Sequence, residues 1–212
     1  MGLWVALQAK ERDRDRDVVL VEADNVAAHA SGRNGGFVDA SLTHGLANGA
    51  THFPSELARL AALGHENLAA IEATIERYAI DARYEANGGL NVATEPWQMR
   101  ELEAAQALAA EYGESIELLD RDGAQRLVHS PTYVGAARVT SGVAVVDPAR
   151  LALGLADAAE QLGVRVLENT RVDTLEPLEN AVVAHVGGLT IRARKIVLAT
   201  NALSHLVRAT KR

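Results

Sequence analysis

Helical and strand-like patterns of apolar residues follow each other at the N-terminal end of the chain. Residues 1–10 (Met-Gly-Leu-Trp-Val-Ala-Leu-Gln-Ala-Lys) predict a helix, and residues 18–22 (Val-Val-Leu-Val-Glu) predict a strand that ends on an acid. The charged run between them, residues 11–17, alternates in sign, which is typical of a solvated helix end and loop. A glycine-rich loop follows at about residues 30–36.

The middle of the chain has a mixed pattern. Apolar residues at near-helical spacing form one stripe over residues 55–80, and a second helix is predicted from about Pro96 to Tyr112. Asp120 can cap a short third helix. Residues 83–86, 90–94 and 132–146 are extended in character. This region therefore predicts an insertion with its own helices and strands.

The last third returns to a helix followed by strands. Asp147-Pro148 predicts a helix start, and Gly163 predicts its end before a strand at residues 164–167. Gly187 and Gly188 separate two strand-like segments and predict a two-residue hairpin turn. Residues 195–200 (Lys-Ile-Val-Leu-Ala-Thr) predict a strand covered on both faces of a parallel sheet.

These patterns predict an α/β fold in three blocks. Residues 1–50 and 147–212 form two parts of one α/β domain, and residues 51–146 form an inserted α+β region. The right-handed crossover rule places the strand that ends at Glu22 beside the strand near residues 164–168. The hairpin at residues 181–193 should lie beside the same domain.

Composition narrows the classes of function. Of 212 residues, 48% are hydrophobic and 23% are charged, which predicts a packed globular core. The net charge of −7 argues against nucleic-acid binding through a basic surface. The sequence contains no cysteine, which excludes thiolate catalysis and is compatible with a cytoplasmic location. No apolar stretch approaches the roughly 20 residues of a membrane span.

Gly2 and Glu22 match part of a dinucleotide-binding fingerprint. In the full motif, G-x-G-x-x-G opens a helix, and an acid about 20 residues further on binds the ribose hydroxyls. Glu22 follows Gly2 by 20 residues, but the preceding strand and the first two glycines are absent from the sequence. Glu22 is therefore either a ribose acceptor or a surface acid at a strand end.

A second candidate is the loop at residues 31–36. Glycine backbone can approach a ligand closely and can direct N–H groups at phosphate or ring oxygens, and an arginine adds a positive charge for phosphate. The alternative is an ordinary flexible turn. The loop consists of Ser31, Gly32, Arg33, Asn34, Gly35 and Gly36.

The histidines do not predict a metal site. Metal-binding histidines commonly occur as H-x-x-x-H or H-E-x-x-H, and neither pattern is present among the seven histidines.

Several segments together resemble a known family. Residues 18–24 followed by 30–37 are similar to FAD-dependent oxidoreductases of the D-amino acid oxidase and glycine oxidase superfamily, most of all to the branch with γ-glutamylputrescine oxidases. Further matches are residues 87–94 (Asn-Gly-Gly-Leu-Asn-Val-Ala-Thr), 145–148, 163–166 and 197–202 (Val-Leu-Ala-Thr-Asn-Ala). They occur in the family's order along nearly the whole chain.

The resemblance implies FAD as cofactor and a role for individual residues. Glu22 resembles the acid that binds the adenosine ribose, and residues 31–36 resemble the loop along the flavin side. Val172, in a strand after Thr170-Arg171, resembles the position whose backbone meets adenine. Thr200 and Ala202 resemble the segment near the cofactor phosphates.

The implied fold is an incomplete Rossmann-like FAD-binding domain that lacks its first strand, with part of a substrate domain inserted. We expect the family's second half to follow Arg212. The implied activity is oxidation of a small amine or amino acid by hydride transfer to flavin. The alternatives are a non-catalytic module with weak or no FAD binding and, less favoured by the loop, an NAD-dependent dehydrogenase.

Overall fold

The protein is described by a computed structural model that covers residues 1–201. Within this range the helices are α1 (Gly2–Arg12), α2 (Leu46–His52), α3 (Leu57–Arg77), α4 (Pro96–Glu111), α5 (Arg121–Leu127) and α6 (Pro148–Gln161). The strands are β1 (Val19–Val21), β2 (Phe37–Asp39), β3 (Gly89–Ala93), β4 (Ile116–Asp120), β5 (Gly135–Val139), β6 (Val143–Val145), β7 (Arg165–Leu167), β8 (Thr174–Leu178), β9 (Ala181–Val186) and β10 (Leu189–Ala193).

The chain divides into two compact units. The first consists of Met1–Asn34 and the described chain from Pro148 onward, and the second is Gly35–Asp147. The contacts therefore divide the chain after residues 34 and 147, whereas the sequence blocks divide it after residues 50 and 146. The assignment of the blocks to a cofactor domain and a substrate domain stays a prediction.

A parallel strand pair with two helices forms the main part of the first unit. β1 pairs with β7 in parallel, in the register Leu20↔Val166, as the sequence predicts. α1 packs against α6 and β1. The two helices contribute small and branched apolar residues to the core: Ala6 and Leu7 from α1, and Ala152, Leu155, Ala156, Ala158 and Ala159 from α6. Burial of this apolar surface stabilises the helix pair.

Lys10 is a buried cation at the end of α1. Only 7% of its surface is exposed, and its ammonium group donates hydrogen bonds to the backbone oxygens of Arg14 and Arg16, the latter at 3.0 Å. These bonds compensate for the lost hydration of the charge. They also fix the loop that leads from α1 into β1.

The hairpin in the first unit forms as predicted. β8, β9 and β10 pair antiparallel in that order, with Leu189 opposite Val186. Gly187 and Gly188 form the turn with φ of +49° and +86°. Both values lie in the left-handed region, which glycine adopts without a steric cost.

Residues 195–200 do not form the strand that the sequence predicts. They are irregular, and Ile196, Val197 and Leu198 are 38%, 62% and 40% exposed. A strand requires a neighbouring backbone that satisfies its N–H and C=O groups. No strand among residues 1–201 pairs with this segment, and β7 is the only described partner of β1.

The second unit contains a three-stranded antiparallel sheet in the order β3-β5-β4 and an antiparallel pair of β2 and β6. The predicted cap of the short helix α5 is confirmed, since Asp120 Oδ1 accepts from Gly123 N at 2.7 Å. The extended stretch at residues 83–86 makes only an isolated bridge from Glu85 to Val145. The short helix α2 was not predicted from the sequence.

Candidate functional site

Glu22 lies directly after β1 and continues the parallel pairing with β7. Its N–H donates to Leu167 O at 2.9 Å, and its C=O accepts from Thr170 N at 2.8 Å. The half-buried side chain accepts from Asp24 N through Oε1 at 3.1 Å. Oε2 has no hydrogen-bond partner within residues 1–201, so this carboxylate retains an acceptor for a ligand.

The N-terminus of α1 presents free backbone donors near the same strand. The helix has no side-chain cap, and its first backbone bond runs from Val5 N to Met1 O at 3.1 Å. The N–H groups of residues 2–4 therefore have no acceptor within the helix. Gly2 is half-buried, and a Cβ added there would lie 3.5 Å from Ala199 Cβ and 3.7 Å from Leu20 Cδ1.

The first part of the glycine-rich loop is held by its own hydrogen bonds. Asn34 Nδ2 donates to Ala30 O at 3.0 Å and to Ser31 O at 3.1 Å. Gly32 approaches the backbone so closely that an added Cβ would lie 2.2 Å from Ala27 O. Only glycine therefore fits at position 32. The loop has a defined conformation that depends on Gly32 and Asn34.

The polar side chains of this loop point to the surface. Ser31 and Arg33 are exposed, and neither side chain makes a hydrogen bond or an ion pair with the described residues. Gly35 and Gly36 begin the second unit, where Gly36 is buried with φ of +72°. A Cβ added at Gly35 would lie 3.1 Å from the Phe37 ring, and both residues are exposed.

The remaining predicted positions lie after β7 and after β10. The sequence predicts that Val172 lies in a strand, but the structure places it outside one. The strand β8 begins two residues later, at Thr174. Its backbone N–H and C=O have no hydrogen-bond partner among residues 1–201. Thr200 is half-buried and follows Ala199, whose Cβ would lie 3.5 Å from a Cβ added at Gly2. Ala202 lies outside the described residues.

Residues 168–170 bind the turn after Glu22, and they were not predicted from the sequence. Glu168 Oε1 accepts from Val26 N at 2.6 Å, and Asn169 N donates to Asp24 O at 2.9 Å. A signal was available: Glu168 follows β7 as Glu22 follows β1. Because the two strands are parallel, acids at their carboxyl ends come to the same edge.

The other ionisable groups of the described residues do not meet the requirements of a metal site. Within residues 1–201, no group of three or more His, Asp or Glu side chains could hold a metal ion. In the second unit, burial raises the pKa of the Tyr84 hydroxyl, and the nearby Glu72 carboxylate raises it further. In the same range, no helix is long and apolar enough to cross a membrane.

Comparison with known proteins identifies the family. The family model described as FAD dependent oxidoreductase matches residues 1–211. The chain belongs to this family. It is 35% identical over 203 residues to gamma-glutamylputrescine oxidoreductase from Escherichia coli, an alignment that covers 95% of this chain and 46% of that protein.

Solved structures show the same fold. Glycine oxidase from Geobacillus kaustophilus superposes with a TM-score of 0.77 at 24% identity, over 93% of this chain and 52% of that one. L-proline dehydrogenase from P. horikoshii gives a TM-score of 0.72 at 18% identity, over 98% of this chain and 52% of that one. The chain thus spans about half the length of the relatives that it matches.

These matches confirm the predicted family, its mixed α/β fold and FAD as the family's cofactor. The described residues offer groups that fit the adenosine end of FAD. Ribose hydroxyls need an acceptor, which Glu22 Oε2 provides. Phosphate needs donors, which the N–H groups of residues 2–4 provide. Adenine needs a donor and an acceptor, and the backbone of Val172 has both.

Proposed function

We propose that this chain binds the adenosine end of FAD in an oxidoreductase that oxidises an amine or an amino acid. The observation that carries the proposal is the free Oε2 of Glu22 at the carboxyl end of a parallel strand pair. A ligand with adjacent hydroxyl groups can donate to this oxygen. The family membership of the chain supports FAD as the source of those hydroxyls.

The proposal assigns a part of FAD to each group of predicted residues. Glu22 accepts from the ribose hydroxyls, and the N–H groups that begin at Gly2 face the pyrophosphate. The backbone of Val172 pairs with the adenine edge. The family resemblance supports two further roles in this proposal. The flavin side is assigned to Ser31, Gly32, Arg33, Asn34, Gly35 and Gly36, and the phosphates are assigned to Thr200 and to Ala202, which lies outside the described residues.

The chemistry itself belongs to the cofactor. When flavin is bound, it accepts a hydride from the carbon that bears the nitrogen, and the substrate leaves as an imine. The residues of this chain bind and orient the cofactor. An amine or amino-acid substrate is supported by the names of the relatives, which act on gamma-glutamylputrescine, glycine and proline. A cytoplasmic location stays a prediction.

Competition with ADP tests this assignment. ADP has the adenine, the ribose and the pyrophosphate of FAD, but it lacks the flavin. If the adenosine end supplies most of the binding free energy, ADP and FAD have similar dissociation constants. ADP then displaces FAD from the purified chain at concentrations near the dissociation constant of FAD. Displacement by FMN but not by ADP would contradict the assignment, because FMN has only the flavin end.

A second candidate is a non-catalytic module of the same family. The observation that favours it is the exposed, irregular segment at residues 195–200 beside a strand pair of only two described members. Weaker order at this sheet would weaken cofactor binding. Saturable binding of added FAD to the purified chain supports the first candidate, and the absence of saturable FAD binding supports the second.

A further inference from the structure

The turn after β1 is fastened to the turn after β7 by contacts between residues far apart in sequence. We call the contacts between residues 22–26 and residues 168–170 the adenosine clasp. Besides the Glu168 bond to Val26 N, Asn169 Nδ2 donates to Asn25 Oδ1 at 3.0 Å. Backbone bonds from residues 169 and 170 to the oxygens of residues 24 and 22 complete the clasp, at 2.9 and 2.8 Å.

The clasp joins the two parts of the proposed adenosine site. Glu22 is its first residue on one side, and Val172 lies two residues after its last residue on the other side. Asn169 has φ of +51°, a left-handed conformation that Asn tolerates better than most residues. The chain thus turns sharply at Asn169, and the clasp fixes where residue 172 leaves the strand pair.

Glu168 is the charged member of the clasp. Its Oε1 lies 2.6 Å from Val26 N, a short bond of the kind that a carboxylate forms with a backbone donor. Without this acceptor, Val26 N would turn to water, and the turn from Glu22 to Val26 would be held by its backbone bonds and by Asn25. A looser turn must be ordered when a ligand binds, and that ordering lowers affinity.

We propose that Glu168 is a positioning residue for the adenosine end of the site. Its role is to hold the turn that begins at Glu22, through Val26 N, without touching the ligand itself. The inference rests on the proposed function, because it assumes that Glu22 and Val172 meet adenosine. It differs from that function in assigning part of the affinity to a side chain outside the ligand's contacts.

The test compares three variants by calorimetric titration of the purified chain with ADP. Glu168→Ala removes the acceptor, and Glu168→Gln keeps an oxygen that can accept from Val26 N. Glu179→Ala is the control, since Glu179 is exposed in the turn between β8 and β9. We expect the Ala variant to bind ADP roughly threefold to tenfold more weakly, and the other two within about twofold of the parent.

Amide hydrogen exchange at Val26 gives a readout of the contact itself. Exchange should be faster in Glu168→Ala and nearly unchanged in Glu168→Gln. Faster exchange with unchanged ADP affinity would reduce Glu168 to a structural role and overturn the inference. Equal losses in the Ala and Gln variants would also overturn it, because they would point to the charge rather than to the acceptor.

Two further outcomes are distinguishable. If the unsubstituted chain binds neither ADP nor FAD, the proposed function fails, and this inference fails with it. If Glu168→Ala does not fold, Asn25→Ala removes only the side-chain bond to Asn169. That variant should also weaken ADP binding, by roughly twofold to threefold, whereas unchanged binding would contradict a positioning role for the clasp.

Discussion

At the scale of single residues, we expect cofactor binding to depend most on the Glu22 side chain. A hydrogen bond to a charged acceptor contributes about 1.5–3 kcal/mol, so Glu22→Ala should weaken FAD binding roughly tenfold or more. Equilibrium dialysis with flavin absorbance measures this loss. Glu179→Ala is the matched control and should bind as the parent does. Unchanged flavin retention in Glu22→Ala would contradict the ribose role.

Tyr84 gives a prediction about pH and stability. Its pKa is raised above 10.0, first by burial and then by Glu72, so the folded chain holds the phenol proton more tightly than the unfolded chain does. This contribution to stability is complete below about pH 10 and is lost as pH rises through the folded pKa.

Thermal unfolding of the parent and of Tyr84→Phe checks this. Between about pH 9 and pH 11, the melting temperature of the parent should fall further than that of the Phe variant, because only the parent has this phenol to ionise. Parallel curves for the two proteins over this range would show that Tyr84 is not buried in the way described.

The difference between Glu22 and Glu168 shows what the sequence could predict about the site. Glu22 was identifiable because its strand and its spacing from Gly2 are local features of the chain. Glu168 also follows a strand, but its contact was not identifiable, because its partner Val26 is 142 residues away in sequence. The predicted site therefore contains residues identified from local motifs and from family resemblance, and it lacks the tertiary contact that holds the turn after Glu22.

At the scale of secondary-structure elements, two helical glycines should respond differently to the same substitution. In α3, a Cβ at Gly64 would lie 1.4 Å from Ala40 O, so Gly64→Ala forces the helix away from the residue after β2. We expect a loss of about 1–3 kcal/mol or more of unfolding free energy.

In α1, a Cβ at Gly2 meets only ordinary contacts at 3.5 and 3.7 Å. Gly2→Ala should therefore change stability by no more than about 0.5 kcal/mol, and it serves as the control for Gly64→Ala. Denaturant unfolding measures both variants. Equal losses of unfolding free energy in the two variants would contradict the close approach of α3 to Ala40.

Elements were predictable where their partners are local. The hairpin of β9 and β10 was found because Gly187-Gly188 forces a turn between adjacent strands, and α6 because Asp147-Pro148 marks its start. Residues 195–200 have the apolar composition of a buried strand, but composition cannot supply the neighbouring backbone that a strand needs. The prediction of a strand there was wrong for this reason.

At the scale of the whole molecule, the comparisons and the structure bear on different parts of the account. The family and the fold are shown, and the chain spans 46% of one relative and 52% of another. The substrate was not predictable from the sequence, because the residues singled out in it were assigned to the cofactor and none was assigned to a substrate. Because residues 195–200 are irregular and exposed, we expect this polypeptide alone to bind the cofactor weakly and to have no turnover.

Titration of the purified 212-residue chain with FAD, followed by an amine-oxidation assay on the same sample, tests the central claim most directly. Flavin fluorescence reports binding. We predict saturable binding with a dissociation constant weaker than about 1 µM, competition by ADP, and no oxidation of amines or amino acids. No saturable binding would contradict the assignment of the adenosine site. Submicromolar binding with measurable turnover would contradict the expectation that this chain cannot act by itself.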